Sequence, residues 1–424
     1  MMTSHPRHRT RIAARALLAG VIASASPAHA ETAVVPVDDA SAFEGCKAGL
    51  TAEAVARGIA PALAAQALRD LSPDPEVLAA SRRQAEFEKP IWNYVDSAVT
   101  EEAVADGRAK LAEWEATFAA VEAAYGVDRF VLAAFWGIES GYGAVLDKPN
   151  KVRPVIRSLA TLACGGGERV SYWRDELVAA LRIADQAGLP PERMTGSWAG
   201  AMGHTQFMPT VYLRHAVDFD RDGRRDIWTS VPDALASTAN FLKVMGWRSG
   251  EGWGTEVVLP EGFDYRLADE TTERPLAEWL ALGLRVAGDT SARDEASGQG
   301  NAPARLLVPA GARGPAFLLR PNFSVILGYN TALSYALAVA HLSDRLRGAG
   351  LVVQPWPRGD RILDRDERQD LQSRLTARGF DAGGIDGKIG PKTRRAVRAF
   401  QEAAGLVPDG YADAALLERL RAAP

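Results

Sequence analysis

The segment Phe130 to Ser140, FVLAAFWGIES, followed at once by Gly141-Tyr142-Gly143, constrains the fold more than any other stretch of the chain. Phe130, Val131, Ala134 and Ile138 recur at helical spacing, so the run predicts a core helix that stops at the glycines. Glu139 falls in its last turn. There the carboxylate faces the negative end of the helix macrodipole and is crowded by Phe135, Trp136 and Tyr142. Both effects disfavour the charged form and raise its pKa. A carboxylic acid kept protonated near neutral pH can protonate the leaving oxygen of a glycosidic bond. The competing reading is a surface acid at a fraying helix end.

Helical patterns dominate the first half. An alanine-rich stretch from Ala42 to about Phe118 reads as several helices broken at Pro73-Asp74-Pro75 and Pro90, and further helices are expected at Ser171–Gln186 and Ala234–Met245. Between about Gly252 and Arg320 short β-prone pieces, such as Thr255–Leu259 and Arg305–Val308, predict a partly stranded, irregular insert with a mobile loop at Arg293–Asn301. Helix resumes at Thr331–Arg347. A Pro-containing linker, VQPWP, then leads to a final unit with helices near Arg365–Arg378, Lys392–Ala404 and from Ala412, large enough for a small three-helix core. The domain plan is a leader at 1–30, a main body at 31–350, a linker at 351–362 and a small unit at 363–424.

The leader is read from four arginines and no acid, an apolar stretch Ala16–Ala25, and Ala28-His29-Ala30, a small-x-small cleavage site. Its apolar stretch is too short to span a bilayer, and no later segment approaches the roughly 20 residues required. With no cysteine after Ala30, no lipid anchor is indicated, and the mature chain is expected in the periplasm. Removing the leader takes Lys+Arg from 49 to 45 against 53 Asp+Glu, a net charge of −8. Nucleic acid is an unsuitable partner for such an exported, acidic chain. The two cysteines, Cys46 and Cys164, are read as a disulfide because the compartment is oxidising; the alternative is two buried thiols. A bridge would close a long loop, for which chain-entropy models give roughly 4 to 5 kcal/mol.

Two further elements carry candidate chemistry. Gly196-Ser-Trp-Ala-Gly-Ala-Met-Gly-His-Thr-Gln-Phe-Met-Pro209 is rich in small residues that let backbone approach a ligand closely, with Ser197 and Gln206 as donors and acceptors for hydroxyl or acetamido groups. It can also be read as a tight turn between packed helices. His204 is left out of the chemistry. In Asp218-Phe-Asp220-Arg-Asp222-Gly-Arg224-Arg-Asp226, acids at positions 1, 3, 5 and 9 with glycine at 6 match the first half of an EF-hand calcium loop. Position 12 is Thr229 instead of glutamate, so Asp233 is the nearest source of a last ligand, and Arg224 would offer its backbone carbonyl. Oxygen-only ligands favour Ca²⁺; the alternative is a solvated turn whose acids pair with neighbouring arginines. Tyr329-Asn330 is expected to open a helix after Pro321-Asn322-Phe323, and a tyrosine hydroxyl there could orient Glu139.

Together, Gly137-Ile-Glu-Ser-Gly-Tyr-Gly, the Gly196–Pro209 run, the acidic loop and Asn322-Phe…Tyr329-Asn330 resemble the membrane-bound lytic murein transglycosylase B family, over about residues 42 to 348. The resemblance implies a mainly α, lysozyme-like catalytic domain with the small irregular β-containing insert. It also implies cleavage of the MurNAc-GlcNAc β-1,4 bond of peptidoglycan glycan strands without water. It makes Glu139 the single acid/base, with Ser197, Gln206, Tyr329 and Asn330 in the cleft and Arg169 and Tyr172 as saccharide or peptide contacts, although Glu168 stands where relatives often carry a second arginine. It assigns Asp218, Asp220, Asp222 and Asp233 to a calcium site. The final unit resembles the peptidoglycan-binding domain type 1 in Asp386-Gly-Lys-Ile-Gly-Pro-Lys-Thr…Phe400-Gln401 and Pro408-Asp409-Gly410.

Most glycosidases use two carboxylates, and no second acid sits in a motif near Glu139. One acid suffices when the substrate supplies the nucleophile. Glu139 would protonate the leaving O4 and then take the proton of the muramic C6 hydroxyl, giving a 1,6-anhydromuramyl end with no organic cofactor. The alternatives are a muramidase of the same fold that admits water and a wall-binding protein without activity.

Overall fold

The computed structural model describes residues 40–82, 89–167, 169–269, 271–288 and 301–422. The predicted leader, residues 293–300 of the predicted mobile loop, and Glu168 lie outside them.

The main body is helical, and its centre is the helix α7, Arg129–Ser140, preceded by α1 (Ala40–Ala56), α2 (Pro61–Arg69), α3 (Pro75–Arg82), α4 (Ile91–Ala98), α5 (Glu101–Glu113) and α6 (Glu115–Tyr125). The sequence specifies both ends of α7. The Asp128 carboxylate accepts the N–H groups of Phe130 (2.9 Å) and Val131 (3.3 Å), satisfying amides that lack a helical partner. Gly141 closes the helix in the left-handed conformation, φ 57°, and its N–H reaches the Gly137 carbonyl. All six residues from Val131 to Trp136 are buried, so α7 is covered around its whole circumference.

Helices α8 (Val155–Cys164), α9 (Val170–Ala187), α10 (Pro209–His215) and α11 (Val231–Val244) follow. A two-strand pairing of β1 (Arg153–Pro154) with β2 (Thr195–Gly196) fixes the start of the glycine-rich segment. Cys46 on α1 and Cys164 at the end of α8 form a disulfide across 118 residues of chain.

The insert is more regular than its sequence indicated. Strands β3 (Gly254–Val258), β4 (Arg274–Pro275), β5 (Arg285–Val286), β6 (Pro303–Leu307) and β7 (Ala316–Leu319) form one antiparallel sheet in the order β4-β6-β7-β3-β5. With α12 (Leu276–Ala281) the sheet encloses its own small core of Val257, Trp279, Leu306 and Leu318. Two helices then return to the main body, α13 (Pro321–Tyr329) and α14 (Leu333–Arg347). Tyr329-Asn330 therefore does not open a helix: Tyr329 ends α13, and Asn330 caps it with extended backbone, φ −143°. The expected start of the helix at Tyr329 is too late by a whole helix: Phe323 and Ile326 are fully buried, and tertiary packing sets α13.

The last unit is the expected three-helix core: α15 (Arg365–Ala377), α16 (Pro391–Ala403) and α17 (Ala414–Ala422) around Leu371, Leu375, Val397 and Leu417. The segment leading to it is fastened down. Glu256 on β3 accepts the N–H groups of Val353 (2.8 Å) and Gln354 (2.7 Å), and Trp356 lies against Trp92 and Phe317. Arg313 pairs with Asp360 (2.7 Å) and Asp413 (3.1 Å), joining the insert to the final unit. Among the described residues no single helix is long and apolar enough to cross a membrane.

Candidate active site

Glu139 is half-buried one residue before the end of α7, and the backbone beyond it is strongly bent. Tyr142 holds φ 58°, unusual for a residue with a side chain, and Gly143 follows at φ 90°. The bend is fixed from within. The Ser140 hydroxyl accepts the Gly143 N–H (3.0 Å) and donates to the His204 carbonyl (2.6 Å), while the Tyr142 hydroxyl donates to the Ala103 carbonyl (3.0 Å). Gly137 is required because a Cβ there would lie 2.6 Å from the Tyr142 ring.

His204, which sequence reasoning set aside, braces this turn. Its Nδ1 accepts the indole N–H of Trp136 (3.0 Å), which places the neutral ring's proton on Nε2. Burial holds its pKa below the ordinary histidine value. Its backbone N–H donates to the Ile227 carbonyl (2.9 Å), so the glycine-rich segment rests directly on the acidic loop.

The glycine-rich segment folds back on itself. Met202 bridges to both Gly196 and Phe207, and a Cβ on Gly196 would lie 2.1 Å from the Ala201 carbonyl oxygen. The Ser197 hydroxyl accepts the N–H groups of Ala201 (3.1 Å) and Ala199 (3.3 Å). Gln206 adopts φ 54°, and its side-chain N–H donates to the Gly203 carbonyl (2.9 Å). Ser197 and Gln206 are thus presented by a rigid turn, both half-buried.

Helix α14 packs on α7 and brings in a residue the sequence did not single out. The hydroxyl of Tyr335 donates to Glu139 Oε1. The Tyr329 hydroxyl instead donates to the Thr205 carbonyl, and its ring packs 4.7 Å from that of Phe135. Burial, first, and the neighbouring Glu139 charge push both phenols far above the ordinary tyrosine pKa, so both stay donors. No pattern in the sequence singles out Tyr335, because its partner Glu139 lies 196 residues away. Asn330 lies at the same corner, but its side-chain Oδ1 accepts the Ala332 N–H (3.0 Å) and shapes the turn between α13 and α14.

Arg169 and Tyr172 form a separate pair at the start of α9. The exposed Arg169 guanidinium lies 4.6 Å from the ring centres of both Tyr172 and Trp173. Burial and the charge of Glu176 push the Tyr172 phenol up to about 12.

In the acidic loop, oxygens of Asp218, Asp220 and Asp222 lie within 4.8 Å of one another. The loop's own amides wrap them: Asp218 accepts the N–H groups of Asp222 (3.1 Å) and Gly223 (3.0 Å), and Asp222 accepts that of Arg224 (2.8 Å). Arg221 at φ 62° and Gly223 at φ 90° make the tight turn. Three converging carboxylates suit a hard cation such as Ca²⁺. Asp233 is not part of this convergence. It is buried, with Oδ1 accepting the Phe219 N–H (2.7 Å) and Oδ2 the Asp226 N–H (2.8 Å), so it holds the loop's backbone. Asp226 likewise accepts the Trp228 and Thr229 N–H groups, both at 2.9 Å.

A cavity of about 550 Å³ under the linker, lined by Trp253, Glu256, His341 and Trp356, contains none of these residues.

Comparisons with known proteins show the family and the fold. Residues 42–344 match the transglycosylase SLT domain, and residues 364–420 match a peptidoglycan binding domain. The membrane-bound lytic murein transglycosylase B of Escherichia coli is 32% identical over 223 residues; the match covers 51% of this chain and 56% of that protein's length. The crystal structure of SltB3 from Pseudomonas aeruginosa, in complex with NAG-anhNAM-pentapeptide, superimposes with a TM-score of 0.83 at 46% identity, covering 89% of this chain and 99% of that one. The Escherichia coli lytic transglycosylase Slt35 in complex with calcium superimposes with a TM-score of 0.59 at 25% identity, covering 71% of this chain and 92% of that one.

Proposed function

Because the chain belongs to the transglycosylase SLT domain family, we propose that it is a lytic murein transglycosylase that cleaves the MurNAc-GlcNAc β-1,4 bond of peptidoglycan and leaves a 1,6-anhydromuramyl end. The observation that carries the reading is the setting of Glu139, a half-buried carboxyl at a strained helix end, held at Oε1 by the Tyr335 hydroxyl, with the next residue, Ser140, bonded to the His204 carbonyl of the glycine-rich turn. Glu139 protonates the glycosidic O4 as the C1–O4 bond breaks, and the neighbouring acetamido group stabilises the anomeric carbon. As a carboxylate it then takes the proton of the muramic C6 hydroxyl while that oxygen bonds to C1. The proton count closes without water, and the attack gains the advantage of an intramolecular nucleophile. Ser197 and Gln206 hold the sugar, Tyr329 and Asn330 support the wall of the cleft, and Arg169 with Tyr172 offers an outer contact for saccharide or stem peptide.

The substrate is the peptide-bearing glycan strand, met in the periplasm after export, and the C-terminal unit adds affinity for the wall. Calcium would be held by Asp218, Asp220, Asp222 and the Arg224 carbonyl. Bound there it would neutralise like charges and stiffen the loop on which His204 rests. Asp233 serves the same loop through backbone amides.

The test is Glu139→Gln. Removing the proton-transfer group is expected to lower turnover by about 10² to 10⁴, with melting and retention on glycan unchanged. Near-unaltered turnover would remove Glu139 from the chemistry.

A further inference from the structure

The C-terminal unit contains the same local device twice. Gln372 on α15 donates its side-chain N–H to Asp386 Oδ1 (3.0 Å) and accepts the Gly387 N–H (2.8 Å), while Asp386 Oδ1 also accepts the Lys388 N–H (2.9 Å). Gln401 on α16 donates to Asp409 Oδ1 (2.8 Å) and accepts the Gly410 N–H (2.8 Å), while Asp409 Oδ1 accepts the Tyr411 N–H (2.9 Å). Both glycines sit in the left-handed region, at φ 72° and 76°. In each turn one carboxylate oxygen is committed to the turn itself.

The two turns differ in what their second oxygen meets. Asp409 Oδ2 accepts the Ala312 N–H (2.9 Å) from the sheet-bearing insert. The residue before it, Gly311, has φ 66°, and an L-side Cβ there would lie 2.4 Å from Asp409 Oδ2 and 2.7 Å from Tyr411 Cβ. The second turn therefore grips a piece of backbone made of one left-handed residue followed by an N–H donor. Asp386 is exposed, and among the described residues no backbone N–H from outside its turn donates to it.

We propose that the turn Asp386-Gly387-Lys388 is a peptide-binding site whose ligand is a short peptide bearing a D-amino acid or glycine, with the N–H that follows it docking on Asp386 as Ala312 docks on Asp409. A left-handed backbone costs an L-residue energy that glycine and a D-residue do not incur, and the L-side Cβ would also strike the carboxylate. Lys392, exposed, supplies positive charge for the peptide's carboxylates. This rests on the reading of the substrate as peptidoglycan, whose muramic acid carries such peptides. It divides the labour of the duplicated turns: one is consumed in seating the unit on the insert, the other reads the wall.

The probe is N-acetylmuramyl pentapeptide ending in D-alanine, added to the full chain carrying Glu139→Gln and followed by amide NMR. Shifts are expected at Gly387 and Lys388 and not at Gly410 and Tyr411. An all-L counterpart should bind about tenfold more weakly, and so should the probe to Asp386→Asn, which keeps the inward acceptor but turns the second oxygen into a donor. Asp409→Asn should leave probe affinity unchanged and speed hydrogen exchange at Ala312. Shifts confined to the Glu139 cleft, equal affinity for the all-L peptide and for Asp386→Asn, or no binding at all would overturn the proposal. If Asp386→Asn melts the unit, the shift map of the unsubstituted turn decides. The products of the unsubstituted enzyme, measured in parallel, separate the two readings: anhydro ends without binding at Asp386 refute the peptide site alone.

Discussion

The Glu139 cleft and the Asp218 loop lie on one scaffold, linked by the bond from the His204 N–H to the Ile227 carbonyl, yet they hold negative charge in opposite ways. Glu139 is half-buried among Phe135, Tyr329 and Tyr335, and its Oε1 is set by a hydroxyl from 196 residues away. Asp220 and Asp222 are exposed, and Asp218 and Asp222 are wrapped by amides at most five residues off. A half-buried carboxyl beside a phenol donor is placed for proton transfer, whereas exposed carboxylates converging on one point are placed for a cation. The same residue type therefore serves chemistry in one place and structure in the other.

The comparison breaks most readily at Tyr335. Tyr335→Phe removes a hydrogen bond to an ionisable group, worth about 1.5 to 3 kcal/mol, so kcat should fall roughly 10- to 100-fold with KM nearly unchanged. Tyr329→Phe, whose hydroxyl donates to the Thr205 carbonyl, should act more weakly on kcat. Equal losses would mean that the two tyrosines shape the cleft and neither orients the acid.

On the loop side the expected effect is on stability. Ca²⁺ at about one hundred times its Kd should stabilise the fold by about 2.7 kcal/mol through mass action, read as a rise in Tm over the chelated protein. Asp220→Ala with Asp222→Ala should erase that rise. Calorimetry showing no calcium-dependent shift in the unsubstituted protein would reduce the loop to a solvated turn.

The smallest effect should appear in pH. Burial lowers the pKa of His204 behind the cleft and brings that of His341 down to about 4. The unfolded chain then binds protons that the folded chain refuses, so stability is complete above the ordinary value near 6.5 and is lost as pH falls from there towards 4. His341→Gln should flatten part of this fall in Tm. An unchanged profile would mean that the ring does not remain buried and neutral.

What the sequence disclosed was local. The helix Arg129–Ser140, its glycine stop, the Gly196–Pro209 turn and both Asp-Gly turns are written in consecutive residues, and periodicity and glycine placement were enough to find them. Tyr335 was invisible because its role depends on α14 crossing α7, a contact that no spacing encodes. Asp233 is the nearest acid beyond the loop, which makes it the natural ligand candidate in sequence; in the fold its two oxygens accept the backbone amides of Phe219, Asp220 and Asp226. The linker's prolines suggested a tether, but Trp356 finds an aromatic seat and Glu256 finds two amides, so the segment is a strap.

The central claim is that Glu139 passes the C6 hydroxyl, and not a water molecule, to the anomeric carbon. Digestion of glycan strands in ¹⁸O-labelled water, followed by mass spectrometry of the muramic ends, tests it most directly. The account predicts ends one water lighter than hydrolysis products and carrying no label. Reducing ends bearing ¹⁸O as the main product would contradict it and make the protein a muramidase.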